Sequence, residues 1–258
     1  MTIHDNAIDT HAHLCDDRFD PDRSETIRRA FAGGVSAIFL VGETIDDAHF
    51  NLALSREQPG LYALAGLYPA HADLESSARM VDFIKTHHQH LIGIGEVGLD
   101  FMLATSEPER SIQQIVLKQF VDISMDLDLP LNVHSRSAAK ETVALLLETG
   151  AKRVQLHAYH GKHSVALQGI EAGYFFSVPT SIVRSQQMRD LFHILPLSQL
   201  MLESDSPVLG PVAGERNEPL NILQSIPVLA QIKNLSIRET ADQLFQNSLR
   251  FYSLEDLP

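Results

Sequence analysis

LNVHSRSAAKETVALLLETGAKRVQLH, residues 131–157, reads as strand, helix, strand. A short apolar run, Leu131–His134, gives way to Lys140–Glu148, where apolar residues recur at helical spacing. Gly150 follows at the place where a left-handed residue commonly stops a helix, and Arg153–His157 is strand-like again. Two strands joined through a helix run parallel. Both of these end in a histidine.

The same alternation extends in both directions. Further strands are expected at Ala7–His13, Val35–Gly42, Leu61–Leu67, Leu91–Glu96, Tyr174–Val178 and Leu200–Asp205. Helices are expected at Ser24–Ala32, Ala48–Gln58, Ser76–His87, Ile112–Leu127, Ser164–Ala172 and Ser185–Leu195. Gly33-Gly34 and Gly173 punctuate it as Gly150 does, and Pro130 closes the long helix before residue 131. Eight strands alternating with helices predict an α/β fold, a (β/α)8 TIM barrel, with an open doubly wound sheet as the rival arrangement. Pro219–Tyr252 predicts two additional C-terminal helices on the barrel wall. No Ser/Gly linker or charge block divides the chain, so residues 1–258 are expected to form a single domain.

Composition narrows the function classes. The formal charge of −13 argues against a protein that coats duplex nucleic acid by bulk electrostatics, which takes many phosphate-neutralising lysines and arginines. A polyanionic substrate still fits if positive charge is concentrated locally, as bound divalent ions would do. No apolar run approaches the roughly 20 residues that span a bilayer. The start, MTIHDNAID, has neither a basic nor an apolar region. With Cys15 alone, an intramolecular disulfide is impossible. A cytoplasmic protein with no membrane contact and no obligate protein partner is expected.

Chemistry emerges from the residues at the strand ends. In AIDTHAHL, Ala7–Leu14, His11 and His13 stand two apart and so project to one side of a strand. Glu96 lies in LIGIGEVGLD, His134 ends LNVH, His157 ends VQLH, and Asp205 ends LMLESD. Barrel enzymes build their sites at that face, where residues distant in sequence converge. Singly, the histidines can be core residues bonded to a carbonyl, and Asp205 can be a cap. Glu96 is harder to explain, because an unpaired carboxylate in an apolar strand calls for a cation. Together the six read as a site for two divalent ions, with zinc, magnesium or manganese as candidates.

These stretches resemble a known family. D-x-H-x-H (Asp9, His11, His13), G-E-x-G-L-D (Gly95 to Asp100), H-S-R (His134 to Arg136), His157 with an aromatic and Gly161 after it, E-S-D-S-P (Glu203 to Pro207) and R-N-E-P (Arg216 to Pro219) are similar to TatD-type metal-dependent deoxyribonucleases of the amidohydrolase superfamily. GYFFSVPTSIVRS and SDSPVLGP most resemble the branch of the third vertebrate TatD-domain paralogue. The resemblance implies a hydrolase with a binuclear centre. His11, His13 and Asp205 would hold one ion, Glu96 would bridge, and His134 and His157 would complete the second. It also implies a nucleic acid or other phosphate ester as substrate, with Asp205 as the proton acceptor.

Two departures from the family pattern fall on the substrate side. GLYPAH places Tyr68 where many members have histidine, with His71 displaced, and strand six is followed by HAYHG in place of H-x-F-S-G. Arg136 is the first candidate to donate a paired hydrogen bond to phosphate, with a structural ion pair as its alternative role. His71, Tyr68, Arg184 and Glu203 are further substrate-side candidates, while Arg216 is expected to fix the loop after strand eight. The acidic surface suggests short single strands or strand ends. Rival readings are an amidohydrolase, a deaminase, an acyl-tRNA esterase, or a metal-binding partner subunit without turnover.

Overall fold

Among the described residues eight strands set the frame: β1 (Ala7–Ala12), β2 (Val35–Leu40), β3 (Leu61–Ala65), β4 (Leu91–Gly98), β5 (Leu131–His134), β6 (Val154–Leu156), β7 (Phe175–Pro179) and β8 (Leu200–Glu203). The α-helices among those residues are α1 (Arg23–Ala32), α2 (Ile45–Glu57), α3 (Leu74–His87), α4 (Glu107–Leu127), α5 (Ala139–Glu148), α6 (His163–Glu171), α7 (Gln186–Ile194), α8 (Ser225–Lys233) and α9 (Ile237–Tyr252). The structure, a computed structural model, describes residues 6–254. MTIHD and EDLP, which the single-domain and N-terminal readings include, lie outside the described residues. The strands close in chain order into a parallel barrel, the expected (β/α)8 architecture, and α8 and α9 follow it.

Contacts group the chain into two compact units, one made of Met1–Leu40, Ser55–Tyr62 and Phe176–Pro258, the other of Val41–Leu54 and Ala63–Phe175. In the first, β1 pairs in parallel with β2 (Asp9 opposite Ile38) and with β8 (Asp9 opposite Leu202). Every residue of β1 is buried, as suits a strand covered on both faces. Helix α9 packs against β1 and β8. Its Asn247 amide donates to the carbonyls of Leu197 and Leu200, both at 2.7 Å. Tyr252, at its end, meets Phe39 of β2 edge-on, with ring centres 4.6 Å apart.

In the second unit β4 pairs with β3 and β5, and β5 with β6. Gly98 lies opposite His134 there, at a φ of 150°. A Cβ at Gly98 would stand 2.1 Å from the His134 carbonyl oxygen, so the close approach of the two strand ends requires glycine.

Several boundaries differ from expectation for local reasons. Helix α3 starts at Leu74, not Ser76, because Asp73 caps it by accepting from the Ser76 amide at 2.8 Å. Helix α4 starts at Glu107, not Ile112, because Ser106 and Glu109 form a capping box. It ends at a left-handed Asp128, before Pro130. Strand β4 runs on to Gly98, β6 stops at Leu156, and His13 and Asp205 lie just beyond their strands. The C-terminal tail holds a short 3-10 turn, Pro219–Gln224, in addition to the two expected helices.

Candidate metal centre

In the first unit three donor atoms converge. His11 Nε2 lies 3.1 Å from His13 Nε2, and each is 3.5 Å from Asp205 Oδ1. The i, i+2 spacing at the end of β1 aims both imidazoles one way. The backbone brings Asp205 to them: its N–H donates to the His11 carbonyl at 2.9 Å, and the His13 N–H donates to the Ser206 carbonyl at 2.8 Å. Asp205 takes a left-handed φ of 53°, a conformation aspartate tolerates better than most residues.

The buried Asn217 amide, from the R-N-E-P motif, holds that loop by donating to the carbonyls of Ser204 and Val208 and to Thr180 Oγ1. Arg216 does as expected. It forms a two-pronged ion pair with Asp22, and its guanidinium lies over the Phe19 ring. Asp9 Oδ1 accepts from the Ser204 amide at 2.8 Å, while its Oδ2 is buried without a partner. Burial pushes the Asp9 pKa up to about 8, against the opposing pull of the Ser204 and His11 hydrogen bonds.

The second unit holds a second set. Glu96 Oε1 is 2.8 Å from both His134 Nδ1 and His157 Nε2, and those nitrogens are 3.0 Å from each other. Glu96, at 2% exposure, is almost fully buried. The other ring nitrogen of His134, Nε2, lies 3.1 Å from Asp100 Oδ2. Burial alone pulls the His134 pKa down, but the hydrogen bonds and charges of Asp100 and Glu96 outweigh it and the net shift is upward. Asp100 goes the other way. Burial pushes its carboxyl up, and the hydrogen bonds from His134, Arg136 and Tyr68 overcome that and hold it well below the usual range.

The donors present fit divalent ions. Ligands about 2.1 Å from a tetrahedral ion stand about 3.4 Å from one another. The triad edges, 3.1 to 3.5 Å in one set and 2.8 to 3.0 Å in the other, come close to that. Imidazole with carboxylate suits zinc and manganese, and the carboxylates admit magnesium.

The substrate-side candidates separate. Tyr68 and Arg136 converge on Asp100 Oδ2, the phenol donating at 2.8 Å and the guanidinium Nε at 2.7 Å. Of the two roles open to Arg136, the structure shows the ion pair. His71 is exposed and stands 3.5 Å from the Glu43 carboxylate. Arg184 donates to the Gly210 carbonyl at 3.0 Å, pinning the loop after β8. Glu203 is fully buried and accepts a 2.6 Å hydrogen bond from Ser177, an interior position that gives it no surface for a substrate. Asp100 was legible only as the last letter of G-E-x-G-L-D, without a role; a carboxylate just past Glu96 on the same strand end was the available signal.

The family model described as TatD related DNase matches residues 8–253. Deoxyribonuclease TATDN3 of Homo sapiens is 38% identical over 258 residues, spanning 95% of this chain and 94% of that protein. The metal-dependent hydrolase YabD of Bacillus subtilis is 28% identical over 255 residues, 96% of this chain and 99% of its own. Among solved structures, YJJV, the TatD homolog from Escherichia coli K12, superposes with a TM-score of 0.88 at 26% identity, covering 96% of this chain and 98% of that one.

Proposed function

This chain belongs to the TatD related DNase family, and from that premise we propose that it is a metal-dependent phosphodiesterase that cuts DNA at single strands or strand ends. The observation that carries the reading is the pair of donor triads at strand ends, His11–His13–Asp205 and Glu96–His134–His157, each with edges of ligand-to-ligand length. His11, His13 and Asp205 would hold one divalent ion, and Glu96, His134 and His157 would hold another.

Divalent ions supply Lewis acidity there, polarising a phosphoryl oxygen and bringing the pKa of water toward neutrality. The remaining work belongs to the chain. Asp205, the only carboxylate of the first triad, turns the attacking water and accepts its proton. His11, His13 and His157 present Nε2, His11 and His157 from buried rings and His13 from a half-buried one, so the donors are fixed before substrate arrives. His71, exposed on the short turn Pro69–His71, would be the side chain that meets substrate. The overall charge of −13 discourages long runs of bound phosphates, in keeping with ends and short single strands. No helix among the described residues is long and apolar enough to cross a membrane, and the lone Cys15 suits a reducing compartment, so we place the activity in the cytoplasm.

The test is hydrolysis by protein stripped with chelator and reconstituted with zinc, manganese or magnesium, offered single-stranded DNA, bis(p-nitrophenyl) phosphate and an acyl ester. Stripping abolishes cleavage of the two phosphodiesters, and Glu96→Ala does the same with the fold retained. Turnover of the acyl ester alone, or wild-type phosphodiester turnover by Glu96→Ala, overturns the proposal.

A further inference from the structure

We infer that Asp100 decides which ring nitrogen His134 offers to an ion, and that Tyr68 and Arg136 hold the carboxylate in place for that task. The inference rests on the reading of His134 as a ligand. His11, His13 and His157 all approach their neighbours through Nε2. His134 is the exception, turning Nδ1 toward Glu96 and His157.

A neutral imidazole carries one proton, and either nitrogen can hold it. An ionised carboxylate can only accept, so Asp100 Oδ2, 3.1 Å from Nε2, keeps a proton there, and the proton on Nδ1, which faces Glu96 at 2.8 Å, is the one an ion would displace. That oxygen is itself immobilised. Arg136 reaches it through Nε and Nη2, both at 2.7 Å, and Tyr68 donates at 2.8 Å. The second carboxylate oxygen accepts from the amides of Met102 and Leu103 at 3.0 and 3.2 Å. Asp100 is fully buried, and the Tyr68 ring meets His134 edge-on at 5.0 Å. Asp100 is thus a positioning residue, and so are Tyr68 and Arg136 through it. Arg136 serves a carboxylate of its own chain, and the GLYPAH tyrosine gains a function.

Two readouts test this on the full chain. Nitrogen NMR of labelled histidine in the zinc-loaded protein reports the His134 tautomer, and calorimetry with zinc alone reports affinity. Wild type shows His134 protonated at Nε2. Asp100→Ala mixes the tautomers and weakens zinc at one site about 10–100-fold. Asp100→Asn, whose amide oxygen can still accept, restores the Nε2–H form and most of the affinity. A folded Asp100→Ala protein with wild-type tautomer and zinc affinity overturns the inference. Should that variant fail to fold, Tyr68→Phe and Arg136→Met keep the carboxylate and decide the matter. Loosened tautomer preference in both supports the inference, and wild-type behaviour in both defeats it. Unchanged zinc binding by His134→Gln refutes the ligand reading separately, since that measurement uses no tautomer signal.

Discussion

In the proposed mechanism Asp205 accepts the proton while its neighbours in the triad are imidazoles, so its substitution separates chemistry from binding. Asp205→Asn is expected to lower kcat by about 10²–10⁴-fold, the usual range for a lost general base. Metal content must be measured alongside, because the amide keeps an oxygen for the ion. Asp16, three residues past His13, offers a stability test at a residue that is not one of the proposed ligands. Its hydrogen bond from Arg18, against some desolvation, lowers its pKa from 3.8 to about 2. A carboxylate depressed on folding stabilises above the unfolded pKa and loses that contribution as pH falls through the folded one. Asp16→Asn therefore flattens the denaturation curve between about pH 4 and pH 2, by no more than about 1 kcal/mol for so exposed a pair. At this scale the sequence was most readable where the residue type alone is costly. A glutamate in LIGIGEVG demands a cation, and two histidines at i, i+2 share a face. Asp100 was not readable, since its meaning comes from donors at positions 68, 134 and 136 that only the folded chain gathers.

Capping explains most of what separates the expected elements from the observed ones. Hydrophobic spacing marks the middle of a helix, whereas Asp73 and the Ser106–Glu109 box fix where α3 and α4 begin. The same chemistry starts α9, where Ser236 Oγ accepts from the Glu239 amide at 3.2 Å and the Glu239 carboxylate accepts from the Ser236 amide at 3.0 Å. Ser236→Ala is expected to cost about 1 kcal/mol in urea unfolding, with zinc affinity unchanged. Gly98 behaves oppositely. Gly98→Ala drives a methyl group into the His134 carbonyl from a backbone conformation that alanine resists. The loss is about 1–3 kcal/mol, accompanied by weaker zinc binding because β5 carries His134. Equal zinc affinity in both variants would separate the strand contact from the ligand geometry.

Alternation of strand and helix, the property that made the barrel legible, survives any error of a few residues at a boundary. The substrate side did not have that protection, because Arg184 and Glu203 take their roles from Gly210 and Ser177. For the molecule as a whole, the formal charge of −13 leads to a shallow salt dependence. The slope of log affinity for single-stranded DNA against log salt is expected to be no steeper than about −2, or about three phosphates. A slope several times larger would point to an extended basic track. The two triads also differ in how far apart their members lie along the chain. Glu96 and His157 are 61 positions apart, but the strands that bring Asp205 to His11 are tied by an Asp9–Ser204 bond spanning 195. During translation, which delivers the amino end first, His11 and His13 emerge long before Asp205 does. Nascent chains thus carry the Glu96, His134 and His157 donors before the first triad can be completed.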